Sequence, residues 1–502
     1  MRKILVGGLW VLALVVVAAV LYTRVVDRYQ RDGTVTLSVL DAPVRVVRDE
    51  QGIPYIHAAS IEDAIRAQGW ITAQDRGFQL EVERYLAAGR LAELFGEGAL
   101  AHDIELRLAG TARHGRRQAE MLAPADRRFY ELYLEGMNAY ITERRNEHQF
   151  GFGLLGIQAT PWTLEDVMTL QFFLMWQSSV NPKAELVAQE ILDRLGPKRA
   201  AELAQVTINP DDGGSAGLTP GDFPGDSIAS LALRADPAWF PAGPGPLELG
   251  SNQWAMSGRR SASGQPVLVN DPHMDARTLP GVWHPVGLIT PDFRAVGVAG
   301  TGVPGIAVGR TSHVALGVTN AYGDVVDLFI ETEDPEQPGH YLEGSESITF
   351  EVIEETVRVR KWPGSSEIRE VPLRIRLTRR GPVISDHGMD LASGKLVSMR
   401  WTVPEAMQSD TGAWALFTAT DVAAARHAVL QSMAPFNYVI ADTAGNIAHA
   451  TGGRVPVRRR GDGSRNGGQQ ITGAELGLFG GDILLLALAH LAQEVFEPRP
   501  VE

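Results

Sequence analysis

Residues 4–22 form an unbroken apolar run, preceded by Arg2 and Lys3 and followed by polar sequence from Thr23 onward. Roughly 20 apolar residues are enough to cross a bilayer as a helix. A secretory signal has a shorter apolar region, about 7–15 residues, ending in a small-x-small cleavage site. Here the run ends Ala19-Val20-Leu21-Tyr22-Thr23-Arg24, which is a poor site. The pattern predicts an uncleaved signal anchor over residues 4–22, with residues 1–33 as anchor and stalk. The rest of the chain is then exported to a periplasmic or other extracytoplasmic space. Arg24, Arg28 and Arg31 follow the run, so the positive-inside rule does not assign its orientation.

Beyond the anchor, residues 34–47 alternate apolar and polar positions with β-branched enrichment, which predicts strands. From 60 to 95 the apolar period changes to three and four, and Ser60 with Asp63 resembles a capping box, so this stretch reads as helix. Helical texture continues to about residue 205, with breaks at Pro161 and Pro182. Residues 207–250 are rich in Gly, Pro and Asp and read as an exposed spacer. From 252 to 453, short β-type runs are separated by Gly and Pro turns, and no internal repeat is evident. The predicted parts are therefore helix-rich 34–206, spacer 207–250, strand-rich 251–465 and an atypical tail, 466–502. A helix-rich part followed by a strand-rich part implies an α+β, or layered αββα, protein.

Composition narrows the function. With 44% hydrophobic and 21% charged residues, the 502-residue chain is globular in character. A formal net charge of -14 excludes nucleic acid as an expected partner, because phosphates need a basic face. The absence of cysteine removes disulfides, thiolate metal sites and cysteine nucleophiles, and it suits an exported protein.

Two motifs are decoys. Gly213-Gly214-Ser215-Ala216-Gly217 matches the G-x-S-x-G nucleophile elbow of α/β-hydrolases, but its flanks are loop-like rather than a strand and a helix. Gly300, Gly302 and Gly305 match G-x-G-x-x-G, but Pro304 and a β-like continuation leave no helix N-terminus for a pyrophosphate. Both are read as chance matches or turn glycines.

The informative constellation is Leu249-Gly250-Ser251-Asn252-Gln253-Trp254 followed by Asn270-Asp271-Pro272-His273. It resembles the start of the catalytic chain in the penicillin acylase family, and is closer in motif to members that act as acyl-homoserine-lactone acylases. The resemblance implies an N-terminal-nucleophile hydrolase with an αββα sandwich, made as a precursor that cuts itself between Gly250 and Ser251. A serine hydroxyl is a weak nucleophile without a base in hydrogen-bond reach. Scission would provide that base as the serine's own α-amino group, whose unperturbed pKa is about 8. Gly250 has no β-carbon, which leaves the scissile peptide open to approach and strain. His273, by the same resemblance, bonds to the nucleophile or the tetrahedral intermediate.

Further blocks match in order. Val47-Arg48-Asp49-Glu50-Gln51-Gly52-Ile53-Pro54 and Ala73-Gln74-Asp75-Arg76-Gly77-Phe78-Gln79 resemble the family's smaller chain; they identify it without being catalytic. In Gly317-Val318-Thr319-Asn320-Ala321-Tyr322-Gly323-Asp324-Val325-Val326-Asp327, the resemblance implies a backbone N–H of Asn320 aimed at the oxyanion. It also implies a Ca²⁺ site from Asp324, Asp327 and the Val326 carbonyl, with Glu185 as a ligand from the first part. Oxygen ligands of this kind are what Ca²⁺ prefers. Phe436-Asn437 with Gly453-Arg454 resembles the segment of the second oxyanion donor, which assigns that role to the Asn437 amide, with Arg458 in support.

The resemblance runs from about residue 34 to Arg465, whereas family members continue well beyond through a long C-terminal half. It therefore implies a catalytic part that is C-terminally truncated or frame-shifted. The expected partners are a small acyl-amide substrate, the α and β chains cut from one precursor, and the membrane through the N-terminal helix. The substrates expected are penicillin-like amides, acyl-homoserine lactones or related amides. The rival readings are a non-catalytic, membrane-anchored remnant that binds small amides, and an α/β-hydrolase that uses Ser215.

Overall fold

The structure is a computed structural model. It describes residues 8, 10, 12–18, 32–144, 150–179, 186, 189, 193–196, 251–274, 280–321, 323, 325–388, 394–454, 456 and 469–470. Two short strands, β1 (Arg45–Arg48) and β2 (Pro54–His57), pair in antiparallel fashion before the helices begin. Residues 34–44, expected as strand, are irregular: the Asp41 and Ala42 N–H groups turn away to the Asp63 carboxylate, at 3.1 and 3.0 Å.

Ser60 then caps helix α1 (Ile61–Ala87), its hydroxyl accepting from the Asp63 N–H, and Glu62 and Asp63 complement the positive end of the dipole. The helix stops earlier than its period suggests, because Gly89 takes a left-handed conformation (φ 63°) and a separate turn, Ala92–Phe95, follows. After it come α2 (Leu100–Ala109), α3 (Thr111–Met121), α4 (Pro124–Glu143) and α5 (Leu164–Gln177). Thr163 and Asp166 form a reciprocal capping box at the start of α5.

The second part is strand-rich. It opens with the hairpin β3 (Ser251–Met256) and β4 (Val267–Pro272) and continues with β5 (Trp283–Ile289), β6 (Arg294–Gly300), β7 (Val308–Thr311) and β8 (Val314–Asn320). Strand β9 (Val326–Glu333) leads to β10 (His340–Glu343) and β11 (Glu346–Thr349); β12 (Glu351–Arg360), β13 (Ile368–Thr378) and β14 (Gly381–Pro382) make a meander; β15 (Leu396–Trp401) returns to β9. Helix α6 (Val422–Val429), capped by Asp421, precedes β16 (Phe436–Asp442) and β17 (Ile447–Thr451).

The large sheet has eight strands in the order β1-β2-β5-β6-β7-β8-β16-β17, so it draws its edge from the helix-rich part and its body from the strand-rich part. Cross-strand partners share a face. Leu316 opposes Gly309, which opposes Gly297, which opposes Val286, so these four positions mark one face of the sheet. Val286 is buried in the same cluster as α1, α4 and α5, and Leu316 in a cluster with Ala425 and Val429 of α6. All of these helices therefore cover one face. The β3–β4 hairpin lies on the other, against β8 and β16. A helix layer, a large sheet and a second, small sheet follow in that order. Gly302 and Gly305 (φ 80° each) sit in the turn between β6 and β7, the role expected for them.

Candidate active site

Alternation along β3 decides where Ser251 points. Asn252 and Trp254 are exposed, while Ser251 and Gln253 face inward. Gln253 identifies that inward face: its Nε2 donates to Thr319 Oγ1 of β8 at 3.2 Å. Ser251 therefore looks onto the hairpin side of the large sheet. There the His273 backbone N–H donates to Ser251 Oγ at 3.3 Å. The contact with the nucleophile candidate comes from the main chain of His273, while its ring turns outward, with Nε2 2.9 Å from Asp271 Oδ2 and 3.2 Å from Asn252 Nδ2.

The hairpin is stitched to β8 by a residue to which the sequence reading assigned no role. Asn270 Nδ2 donates to the carbonyls of Asn252 (3.1 Å) and Val318 (3.0 Å), and its Oδ1 accepts from the Val318 N–H at 3.0 Å. One side-chain amide thus replaces a rung of a β-ladder. Gly317 makes room for it, since a Cβ there would stand 3.0 Å from the Asn270 Cβ. These bonds fix Ser251 in register with the end of β8.

Asn320 closes β8, and Asn437 is the second residue of β16, opposite Thr319. The register puts the Asn437 side chain on the hairpin face, with Thr319 and Gln253. By alternation the Asn320 side chain falls on the helix face, which leaves its main chain as the group it can offer to the hairpin side. Asn437 is buried, and its Oδ1 accepts from Thr451 Oγ1 of β17 at 2.8 Å. The two named asparagines thus stand at one end of β8 and β16, and the hairpin that begins with Ser251 packs against both strands.

The remaining sequence-derived positions divide. Val326 begins β9, and Asp327 beside it is buried. Glu185 and Asp324, the other expected Ca²⁺ ligands, lie outside the described residues, as do Gly250, Arg458, Ser215, the whole spacer 207–250, most of the 466–502 tail and most of the 4–22 run. Among the described residues no three His, Asp or Glu side chains are grouped to hold a metal ion, and no helix is long and apolar enough to cross a membrane. The two front-half blocks meet each other: Arg48 holds Asp75 through both terminal guanidinium nitrogens (2.9 and 2.8 Å) and also reaches Gln74 Oε1. Burial would raise the Asp75 pKa, but His284 and Arg48 outweigh it and hold the carboxyl below its usual range.

A serine opening a strand, a main-chain donor on its hydroxyl, and a buried amide on the same sheet face form an arrangement suited to acyl transfer. Residues 43–475 match the family described as penicillin amidase. The chain belongs to the penicillin amidase family. With the family comes the N-terminal-nucleophile hydrolase fold class, consistent with the helix and sheet layers above. The chain is 28% identical over 467 residues to the acyl-homoserine lactone acylase QuiP of Pseudomonas aeruginosa, covering 87% of this chain and 53% of that protein. It is 30% identical over 452 residues to the penicillin acylase 2 proenzyme of Pseudomonas sp. strain SE83, covering 86% and 55%. A solved structure of a thermostable penicillin G acylase from Alcaligenes faecalis aligns at a TM-score of 0.36 and 24% identity, over 41% of this chain and 36% of that one. The chain spans about half the length of the curated relatives it matches.

Proposed function

We propose that this member of the penicillin amidase family is a self-processing acylase that cleaves an acyl side chain from a small amide, with Ser251 as nucleophile. The observation that carries the reading is the placement of Ser251 Oγ under the His273 N–H, on the sheet face that also bears the Asn437 amide. Scission of the Gly250–Ser251 peptide frees the α-amino group of Ser251. That amine takes the hydroxyl proton as Oγ bonds to the amide carbon. The oxyanion is met by the Asn320 N–H and Asn437 Nδ2. Collapse of the intermediate breaks the C–N bond, the amine leaves with a proton, and water then hydrolyses the Ser251 ester. Penicillin-like amides and acyl-homoserine lactones are the substrate classes proposed, since relatives bear both names.

The test is mass spectrometry of the full chain extracted with detergent. A new N-terminus at Ser251 is expected, and its disappearance in Ser251→Ala; a wild-type chain cut elsewhere, or a variant still cut at that bond, would sink the reading. A single uncut species that gives no acylation burst with an activated ester favours the rival, a non-catalytic binding protein. The same spectra test the anchor expected over residues 4–22: an anchored chain keeps Met1 or Arg2 at its start, whereas a start near Thr23 means that residues 4–22 are a removed signal.

A further inference from the structure

The Asn437 amide is useful to an oxyanion in only one of its two orientations. Oxygen and NH₂ are nearly isosteric, so rotation by half a turn exchanges donor for acceptor at little steric cost, and the surrounding hydrogen bonds decide which end points where. On one flank the Thr319 hydroxyl is engaged by Gln253. On the other flank stands Thr451, directly across the β16–β17 ladder from Asn437, and its hydroxyl donates to Asn437 Oδ1 at 2.8 Å. Among the described residues this is the bond that holds the amide. Threonine is stiff at χ1, so the strand fixes where Oγ1 stands, and its rotatable proton is the one donated to Oδ1. The bond ties down the oxygen of the amide and leaves Nδ2 as the end that can donate.

We propose that Thr451 is a positioning residue, whose hydroxyl orients the Asn437 amide so that Nδ2 rather than Oδ1 faces the developing oxyanion. The inference rests on the acylase reading and deepens it. It also orders the magnitudes. Removal of an oxyanion donor costs roughly 10²–10³ in rate, whereas loss of one orienting neutral hydrogen bond costs about five- to tenfold.

The experiment uses the matured full chain and follows the burst of p-nitrophenol from p-nitrophenyl acetate and p-nitrophenyl butyrate. Thr451→Val keeps the shape and removes the hydroxyl; it is expected to slow acylation about five- to tenfold with the half-saturating ester concentration unchanged. Thr451→Ser should restore the rate to within about twofold of wild type, since it returns the orienting hydroxyl. In an Asn437→Ala background, Thr451→Val should cost nothing further, because the group it orients is gone. A Thr451→Val enzyme as fast as wild type overturns the proposal. So does a Thr451→Val loss that persists in full beside Asn437→Ala, which would mark a purely structural role. If the wild-type chain gives no burst, the acylase reading itself fails, and if Asn437→Ala acylates normally, Asn437 is not the oxyanion donor and the proposal falls with it; both results are distinct from either Thr451 outcome.

Discussion

At the scale of single residues, His102 stands out because neither of its ring nitrogens finds a hydrogen-bond partner among the described residues. It is buried in α2 with its ring edge-on to Phe173. Burial alone pushes its pKa down to about 4. A histidine held neutral in the fold but free to charge in the unfolded chain stabilises fully above its unfolded pKa of about 6.5; that contribution is lost as pH falls through the folded value. By pH 5 the loss is on the order of 2 kcal/mol. His114, whose pKa burial also lowers to about 4, acts in the same direction. Asp103 and Glu83 act in the opposite direction, since burial raises their pKa values to about 6 and about 7 and acidification relieves them. The His102 contribution is therefore read as a difference between variant and wild type. In His102→Leu, the fall in urea midpoint between pH 7 and pH 5 should be smaller than in wild type. Equal falls in the two proteins would show that His102 titrates normally in the fold.

At the scale of elements, α1 and α4 approach so closely that glycine is required where they cross. A Cβ on Gly69 would run into the Tyr133 carbonyl oxygen, and a Cβ on Gly136 into that of Arg66. The obstacle is backbone in both cases, which cannot rotate aside. Gly136→Ala should therefore destabilise by roughly 1–3 kcal/mol or more, against its gain in helix propensity. Gly98→Ala, with open space around it, should be neutral or slightly stabilising. Similar denaturation midpoints for the two variants would refute the close crossing. This crossing was not legible in the sequence, because a glycine inside a helical pattern looks the same whether or not another backbone touches it. What was legible was local. Ser60 with Asp63 announced the start of α1, and Gly89 explains its early end. Even the opposition of Asn437 and Thr451 follows from local sequence, because the turn at Gly445-Asn446 sets the register that pairs them. Helix α6 was missed inside the strand-rich part, although Asp421 before an alanine-rich run signalled a capped helix. The Asn270 stitch, the Arg48–Asp75–His284 group and the face on which Ser251 lies join residues far apart in the chain, and no local pattern encodes them.

At the scale of the whole molecule, the proposed scission at Ser251 would divide the chain but not the fold. Strand β2, from the first part, pairs in parallel with β5 from the second, Tyr55 opposite Gly287, so both products contribute to one sheet. The main hydrophobic cluster likewise mixes α1, α4 and α5 with β5, β6, β9 and β15. Polar bonds reinforce the join. Gln68 exchanges two hydrogen bonds with the Gly305 backbone (2.8 and 2.9 Å), Asp126 accepts from the Thr411 and Trp414 N–H groups, and His284 meets Asp75 at 3.2 Å. Exposed ion pairs across the join, such as Arg369–Glu97, would weaken in salt, but buried apolar area and buried hydrogen bonds are not screened. The two products of cleavage are therefore expected to elute together from a sizing column in equal amounts, in about 1 M salt as in dilute buffer. They should separate only in denaturant. The helix-rich part expressed alone should expose the apolar face that meets the sheet and fail to give a cooperative melt. Two separate native peaks after cleavage, or a cooperative melt from residues 34–206 alone, would show that the parts are independent domains and that the shared sheet does not hold them together.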